Sequence, residues 1–313
     1  MRPRVRPAVL GDEIRQAAAR LPPSLRLGAT SWTTPQWDCV WERPASAGVL
    51  AREGIGAYAE HPMLRTVLID RAARMPLHTA GLAGLAASVP ADFRFVLAAD
   101  EWVLRGRLPD HPRFGEARGQ ANPAFLNADA MIERSVTPFV EGLGERGGIL
   151  LLTIPRQDPR ALGTRRAFPS RLGRFLSALP QGPRYAVELR DHKLLTSEYA
   201  AVLAETGALH CISVHPSMER VQEQLTIANP LSADTVIVRW SMGVHLDYRA
   251  AFRNFSPFNA LVDRDLRARN AVLEVVRRAS QTATAIYALV DDMAEGCAPA
   301  TIVELSESLL EPS

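Results

Sequence analysis

Lysine is nearly missing from this sequence. Lys193 is the one lysine among 36 basic residues, and all the others are arginine. We read that excess as coding bias, although each guanidinium remains a competent ligand for anions. Cysteine is scarce too: Cys39, Cys211 and Cys297 are odd in number, far apart in the chain and form no C-x-x-C pair. A disulfide framework or a thiolate zinc site is therefore not expected, and a reducing cytoplasm fits best. No run approaches the roughly 18 apolar residues that a membrane-spanning helix requires. Arg2, Arg4 and Arg6 are not followed by the apolar stretch of a signal peptide. Nor does one sign of charge dominate. Against 34 acidic residues the balance is +2, which supplies no global attraction to nucleic acid or an anionic membrane. No G-x-S-x-G, H-x-x-x-H or H-E-x-x-H spacing occurs, so neither a serine-hydrolase elbow nor a helical zinc motif is available.

What the 313 residues do contain is the ordinary mix of a soluble chain with a large core, 47 % hydrophobic and 22 % charged. Eight short apolar runs recur along it: Leu25–Thr30, Thr66–Asp70, Phe93–Ala98, Ile149–Ile154, Tyr185–Leu189, Ala208–Val214, Thr235–Val238 and Thr284–Val290. Most are continuous rather than alternating, as parallel strands covered on both faces are. Helical patterns fill the gaps. Between Met131 and Leu143, the residues Ile132, Val136, Phe139, Val140 and Leu143 share one helical face, with Pro138 expected to kink it. Eight strand–helix units predict one α/β domain, a TIM-type (β/α)8 barrel over 25–313, with 1–24 as a short N-terminal helical extension. The competing fold is a doubly wound open sheet. It is disfavoured because no Gly-rich phosphate loop follows the first strand, where Gly28-Ala29-Thr30-Ser31 runs into Trp32. The Trp102–Pro123 stretch, carrying Gly106, Pro109, Pro112, Gly115 and Gly119, reads as a long loop overhanging the face where the strands end.

Barrel enzymes carry their chemistry at those strand ends. Here they read Thr30-Ser31-Trp32, Asp70-Arg71, Asp100-Glu101, Thr153, Glu188 with Arg190, His215, Arg239 with Ser241, and Asp291-Asp292. Glu188 and Arg239 stand apart because each directly follows apolar strand residues. A period of two puts Glu188 and Arg190 on one face of their strand, and Val187 and Leu189 on the other. A charge inside a barrel needs a partner, since burying it alone is costly. Arg239 is the expected partner of Glu188, either in a ligand site or in a purely structural pair.

The run Gly28-Ala29-Thr30-Ser31-Trp32-Thr33-Thr34-Pro35-Gln36-Trp37 resembles the first-strand signature of the DUF72 family, whose usual form is close to G-T-S-G-W-x-x-P-x-W. Tyr185-Ala186-Val187-Glu188-Leu189-Arg190 is similar to the family's Y-A-V-E-[FL]-R motif, and Val238-Arg239 matches its V-R pair. Ala294-Glu295-Gly296-Cys297-Ala298-Pro299 matches A-E-G-x-A-P, and the run from Asn122 to Ala128 is similar to one branch of the family. The resemblance spans about Leu25 to Leu310 in order. It implies a TIM-type barrel and no established activity. Likeness of the family's barrel to the endonuclease-IV and xylose-isomerase group implies phosphate, sugar or nucleic-acid ligands by analogy alone. The chain also departs from the family pattern. Leu68 replaces a glutamate, Asp70 an asparagine, Ala98 a lysine and Thr153 a glutamine, while Asp291-Asp292 stands where N-N is usual. About half of the polar lining is changed, so the site is either retuned or decayed.

The candidate catalytic residues are Glu188, Asp70 and Asp291, as paired carboxylates for acid/base work. Arg190 and Arg239 would bind an anionic group, with Ser31 and Asp292 completing the ligand-binding set. Trp32 and Trp37, with Trp41, would either stack on a sugar or base or plug the mouth of the barrel. His215 and His245 read as surface or cap residues, and no metal or other cofactor is expected. A Mg²⁺ or Mn²⁺ site built from Asp70, Glu188, Asp291 and Asp292 is the weaker alternative, beside a plain solvated loop. Cys211 reads as a buried small hydrophobe, and Cys297 lies near a helix start that could lower its pKa. The expected function is a cytosolic barrel enzyme, or former enzyme, whose partner is a small phosphorylated or nucleotide-like anion. The alternative is a non-catalytic nucleic-acid or protein-binding barrel, linked to repair, that uses Arg156, Arg160, Arg165 and Arg166.

Overall fold

Runs such as Ile149–Ile154 bury nearly every residue, which only a sheet covered on both faces allows. The computed structural model describes residues 5–75, 77–158, 167–243 and 247–311. Eight parallel strands close into a barrel in chain order: β1 Leu25–Ala29, β2 Leu64–Ile69, β3 Arg94–Ala98, β4 Gly147–Ile154, β5 Tyr185–Leu189, β6 Leu209–Val214, β7 Thr235–Trp240 and β8 Ala285–Val290. Closure pairs β8 with β1, Ala29 lying opposite Val290, and this excludes the open sheet. Closure also forces β1 and β2 together at Gly28, where a Cβ would lie 1.9 Å from the Thr66 carbonyl oxygen. Only glycine fits there.

The helices pack outside. They are α1 Asp12–Arg20, α2 Ala47–Ala59, α3 Thr79–Ala87, α4 Ala128–Met131, α5 Ala167–Ser177, α6 Ser197–Thr206, α7 Val221–Ala228, α8 Tyr248–Phe255, α9 Leu266–Ala279, α10 Asp292–Glu295 and α11 Ala298–Leu310. In the 1–24 extension, Val5, Ala18 and Leu21 join the outer core, while the Arg65 guanidinium donates to the carbonyls of Ala18 and Pro22.

Inside the barrel the period of two sorts the side chains. Leu68, Val96, Ile149, Leu151, Ala186, Cys211, Ile237, Tyr287 and Leu289 form the interior core. One step further along the same faces come Asp70, Thr153, Glu188, Ser213, Arg239 and Asp291, with Ala98 still part of the apolar core. The polar layer is thus the continuation of the apolar one towards the mouth.

Three expectations need adjusting. The helix expected over 131–143 runs from α4 into two π-helical segments, Ile132–Val136 and Phe139–Leu143, on either side of Pro138. Proline lacks an N–H for the regular ladder, and the wider turns absorb the missing bond. β7 runs two residues beyond Val238, so Arg239 sits within the strand. Helix α8 had no counterpart in the sequence reading. Asp247 caps it by accepting from the Arg249 and Ala250 N–H groups.

Candidate functional site

Strand register assembles the site. Thr153 pairs across from Glu188, and Ser213 across from Arg239, so two hydroxyls and an opposite charge converge on one buried carboxylate. Glu188 has no exposed surface. Its Oε1 accepts from the Ser213 hydroxyl at 3.1 Å and pairs with Arg190 Nη2 at 2.7 Å. Its Oε2 accepts from Thr153 Oγ1 and Arg239 Nη1, both at 2.9 Å. Burial by itself would raise this carboxyl, but Arg190, Arg239 and the Thr153 hydroxyl outweigh it and hold the pKa at about 2. Glu188 therefore stays ionised, and all its acceptor positions are taken.

The two arginines extend the network upward. Arg239 Nη2 reaches Asp70 Oδ1 at 3.2 Å, and Asp70 Oδ2 accepts from Arg74 at 3.1 Å. Arg190 Nη2 also donates to Ser241 at 2.8 Å. Burial opposes the charge on Arg239, yet Glu188, Asp70 and Asp291 together hold its pKa above the usual value. Its Nε–H is buried without a hydrogen-bond partner.

Above this layer lies a cavity of about 880 Å³, lined by both arginines, Asp70, Asp291, Thr153, His215 and Ser241. Arg74, Arg105 and Arg156 add further guanidinium groups, while Met242, Met293 and Tyr248 form a less polar side. Arg105, Pro109 and His111 come from the long loop after β3, which does overhang the mouth. Asp291 is the carboxylate here whose environment favours a proton. Burial raises its pKa against the Thr30 hydroxyl and the Met293 N–H that it accepts. His215 Nδ1 accepts from the Ser217 N–H at 3.1 Å, which puts the ring proton on Nε2. Burial, then the Arg190 charge, lowers this histidine to about 4, so it is neutral at pH 7. It caps the turn after β6, as expected, and is also a wall of the cavity.

The other candidates lie elsewhere. Trp32 and Trp37 are buried: Trp32 Nε1 donates to the Leu50 carbonyl at 3.0 Å and Trp37 Nε1 to Asp292 Oδ1 at 3.0 Å. Their rings are buried in the outer core and line no part of the cavity, so they pack the first loop and neither stack on a ligand nor cover the mouth. Ser31 turns back to Thr33, 2.8 Å away. Asp292 is not a cavity residue. It joins the first loop to the last strand, accepting from Thr34, Trp37 and the Ala298 N–H, and burial pushes it up to about 7. The cation site imagined from Asp70, Glu188, Asp291 and Asp292 is not assembled, since Glu188 is saturated and Asp292 faces away. Among the described residues, no group of three or more His, Cys, Asp or Glu side chains is placed to hold a metal ion. Cys297 precedes a helix as expected, but the influence of Cys39 and burial raise its pKa rather than lower it. His245, Arg160, Arg165 and Arg166 lie outside the described residues.

Sequence reasoning missed the roles of Ser213, Arg74, Arg105, Met242, Met293 and Tyr248. Ser213 was within reach, being two residues beyond Cys211 on the inward face and one strand from Glu188. The others sit in loops and short helices whose periodicity carries no signal.

The comparisons agree with this architecture. A crystallised DUF72 family protein from Enterococcus faecalis V583 superposes with a TM-score of 0.62 at 15% identity, covering 92% of this chain and 98% of that one. One from Thermotoga maritima MSB8 gives 0.60 at 14% identity, covering 92% and 99%. At such identities the likeness speaks for the fold. No curated protein matches. The family model described as "Protein of unknown function DUF72" matches residues 26–312, and the chain belongs to that family.

Proposed function

We propose that the barrel mouth binds a small phosphorylated molecule, nucleotide-like in having a flat ring opposite its anionic group. The observation that carries this reading is the pair Arg190 and Arg239, fixed on the buried Glu188 beneath the cavity. A prearranged guanidinium pair costs little ordering on binding and matches phosphate oxygens well. Among the described residues, only Nη2 of Arg190 is engaged. The exposed Tyr248 ring, stacked on Phe252 at 6.4 Å, offers a face for a base or sugar beside Met242 and Met293. Glu188 acts here as the charge partner that positions the arginines. Its low pKa and lack of access make it a poor proton carrier, and Asp291 is the side chain suited to that task.

Calorimetry and thermal melts with inorganic phosphate, ribose 5-phosphate, adenosine and adenosine 5′-phosphate test this. Phosphorylated compounds should bind and stabilise the fold, by about 2.7 kcal/mol at a hundredfold excess over Kd, and adenosine alone should not. Binding should depend weakly on salt, unlike a nucleic-acid surface. Glu188→Gln should lose binding and stability together, whereas Asp291→Asn should keep binding and lose turnover of any compound consumed. No shift with any phosphorylated compound at millimolar concentration would overturn the reading.

A further inference from the structure

The long loop after β3 borders a second space besides the barrel mouth. This recess of about 710 Å³ is lined by Arg105, Arg107, Pro109, Asp110, Arg118 and Asp158. Arg105 and Pro109 also line the main cavity, so the two spaces adjoin along that segment. A surface loop of this length is ordinarily mobile, yet here its backbone is tied down. Arg107 forms an antiparallel bridge with Ala121, and the Leu108 N–H donates to the Gln120 carbonyl at 3.0 Å. Two buried amides do the rest. Gln157, just past β4, accepts from the Gly106 N–H at 2.8 Å and donates to the Leu104 and Pro155 carbonyls, both at 2.9 Å. Asn122 donates to the Trp102 and Arg105 carbonyls at 2.6 and 2.8 Å. The backbone that carries Arg105 and Arg107 is therefore fixed before any ligand arrives.

Three guanidinium groups face two carboxylates in this recess. Arg105 is paired closely with Glu101, at 2.7 Å. The other two pairs are wider: Arg107 lies 3.9 Å from Asp158, and Arg118 lies 3.6 Å from Asp110. Those separations are too long for hydrogen bonds, and both arginines are exposed, so water screens the attraction. A phosphoryl oxygen would give each of them a shorter, charge-assisted bond.

We propose that the recess receives the far end of a phosphate chain, which makes the ligand a nucleoside polyphosphate. The proposal rests on the reading of the mouth as a phosphate site and adds the number of phosphoryl groups. Neighbouring strands are about 4.8 Å apart, so Arg190 after β5 and the loop after β3 stand on the order of 10 Å apart. One phosphoryl group is too small to meet both, whereas a chain can. The order across the mouth fits such a chain. Tyr248, after β7, offers the ring face at one end, and Arg190 and Arg239 lie beneath the first phosphoryl group. Arg105 stands at the passage between the two spaces, and Arg107 and Arg118 meet the last group.

Calorimetry on the full chain with adenosine 5′-phosphate, 5′-diphosphate and 5′-triphosphate, in buffer containing EDTA, tests this. The triphosphate should bind about ten- to a hundredfold more tightly than the monophosphate, as expected of added bonds to charged groups. Arg107→Ala with Arg118→Ala should return the triphosphate to the affinity of the monophosphate. The same double change should leave monophosphate binding and the melting temperature as they were, since both side chains are exposed. Arg264→Ala, remote from both spaces, should change neither affinity. A triphosphate that binds no more tightly than a bound monophosphate removes the recess and leaves the reading of the mouth standing. A gain that survives the double change, or that Arg264→Ala abolishes equally, also overturns the proposal. Triphosphate binding without monophosphate binding, lost in the double variant, upholds the recess and removes the mouth as a sufficient site. Binding of none of the three overturns both.

Discussion

Glu188 and Glu295 are both fully buried, and each anchors arginine. Glu295 ends α10 and is closed on every side. Its Oε1 accepts from Arg269 Nε at 2.7 Å and from the Asp265 N–H at 2.9 Å, and its Oε2 from Thr301 at 3.0 Å and Arg269 Nη2. Arg269 Nη1 goes on to Glu304 at 2.6 Å, so each guanidinium nitrogen is engaged. The next residue, Gly296, adopts φ +111, and a Cβ there would lie 2.6 Å from the Ala260 carbonyl oxygen. This network clamps α9, α10 and α11 together. At the barrel mouth the carboxylate is equally saturated but its arginines are not, and they face a cavity. Saturated arginines mark architecture here, and donors left open mark a site.

Removing one member of each pair should produce the largest effects. Arg239→Met and Arg269→Met each strand a buried carboxylate, and each is expected to cost about 3–5 kcal/mol in urea denaturation. The double replacements separate the two networks. Glu295→Leu with Arg269→Met should return to within about 1–2 kcal/mol of the parent, because nothing outside the helices uses that pair. Glu188→Leu with Arg239→Met should recover only part of the loss, because Arg190 keeps its charge without its carboxylate, and should bind no phosphate compound. Phosphate binding that survived this second double change would erase the distinction.

The sequence made the open network easier to find than the closed one. Glu188, Arg190 and Arg239 interrupt apolar strands, where a period of two and the cost of burial leave few alternatives. Eight continuous apolar runs were enough to specify the barrel. Glu295 lies in a short helix after the last strand, and its partners Arg269 and Glu304 come from two amphipathic helices, where a charge at any one position looks solvated. The tryptophans were ambiguous for another reason. An indole can pack inward or stack on a ligand, and which it does depends on whether the fold leaves its face open: Trp32 and Trp37 are both buried in the outer core.

Asp291 and Asp292 sit between the two networks and give a pH signature of intermediate size. The pKa of Asp292 is raised to about 7 by burial, against roughly 3.9 when unfolded. A carboxyl raised on folding contributes stability that is full below about pH 4 and lost as pH climbs through 7. Glu188 has the opposite sign. Lowered to about 2, it contributes above roughly pH 4.3, and that contribution fades as pH falls towards 2. Asp292→Asn should therefore remove the decline on the neutral side and exceed the parent by up to about 3–4 kcal/mol at pH 8. The acid-side decline should remain. Chemical denaturation at pH 4, 6 and 8 reads both limbs, and an unchanged neutral limb would place the titration on another group.

The smallest effect belongs to the rim of the open network. Arg156 is exposed at the edge of the cavity and has no carboxylate partner among the described residues. Arg156→Ala strands no buried charge, so stability should stay within about 0.5 kcal/mol of the parent. A rim guanidinium that reaches a bound phosphate strengthens binding by no more than a solvent-screened hydrogen bond, and its loss should weaken affinity about three- to tenfold in calorimetry. Arg264 is the matching rim residue of the closed network, paired with Glu304 at 2.7 Å, and Arg264→Ala should leave phosphate affinity unchanged. An equal response from both variants would mean that the anion is held by general charge and not by the cavity. A response from Arg156→Ala alone requires that the open network continue from Glu188, through Arg190 and Arg239, to the solvent.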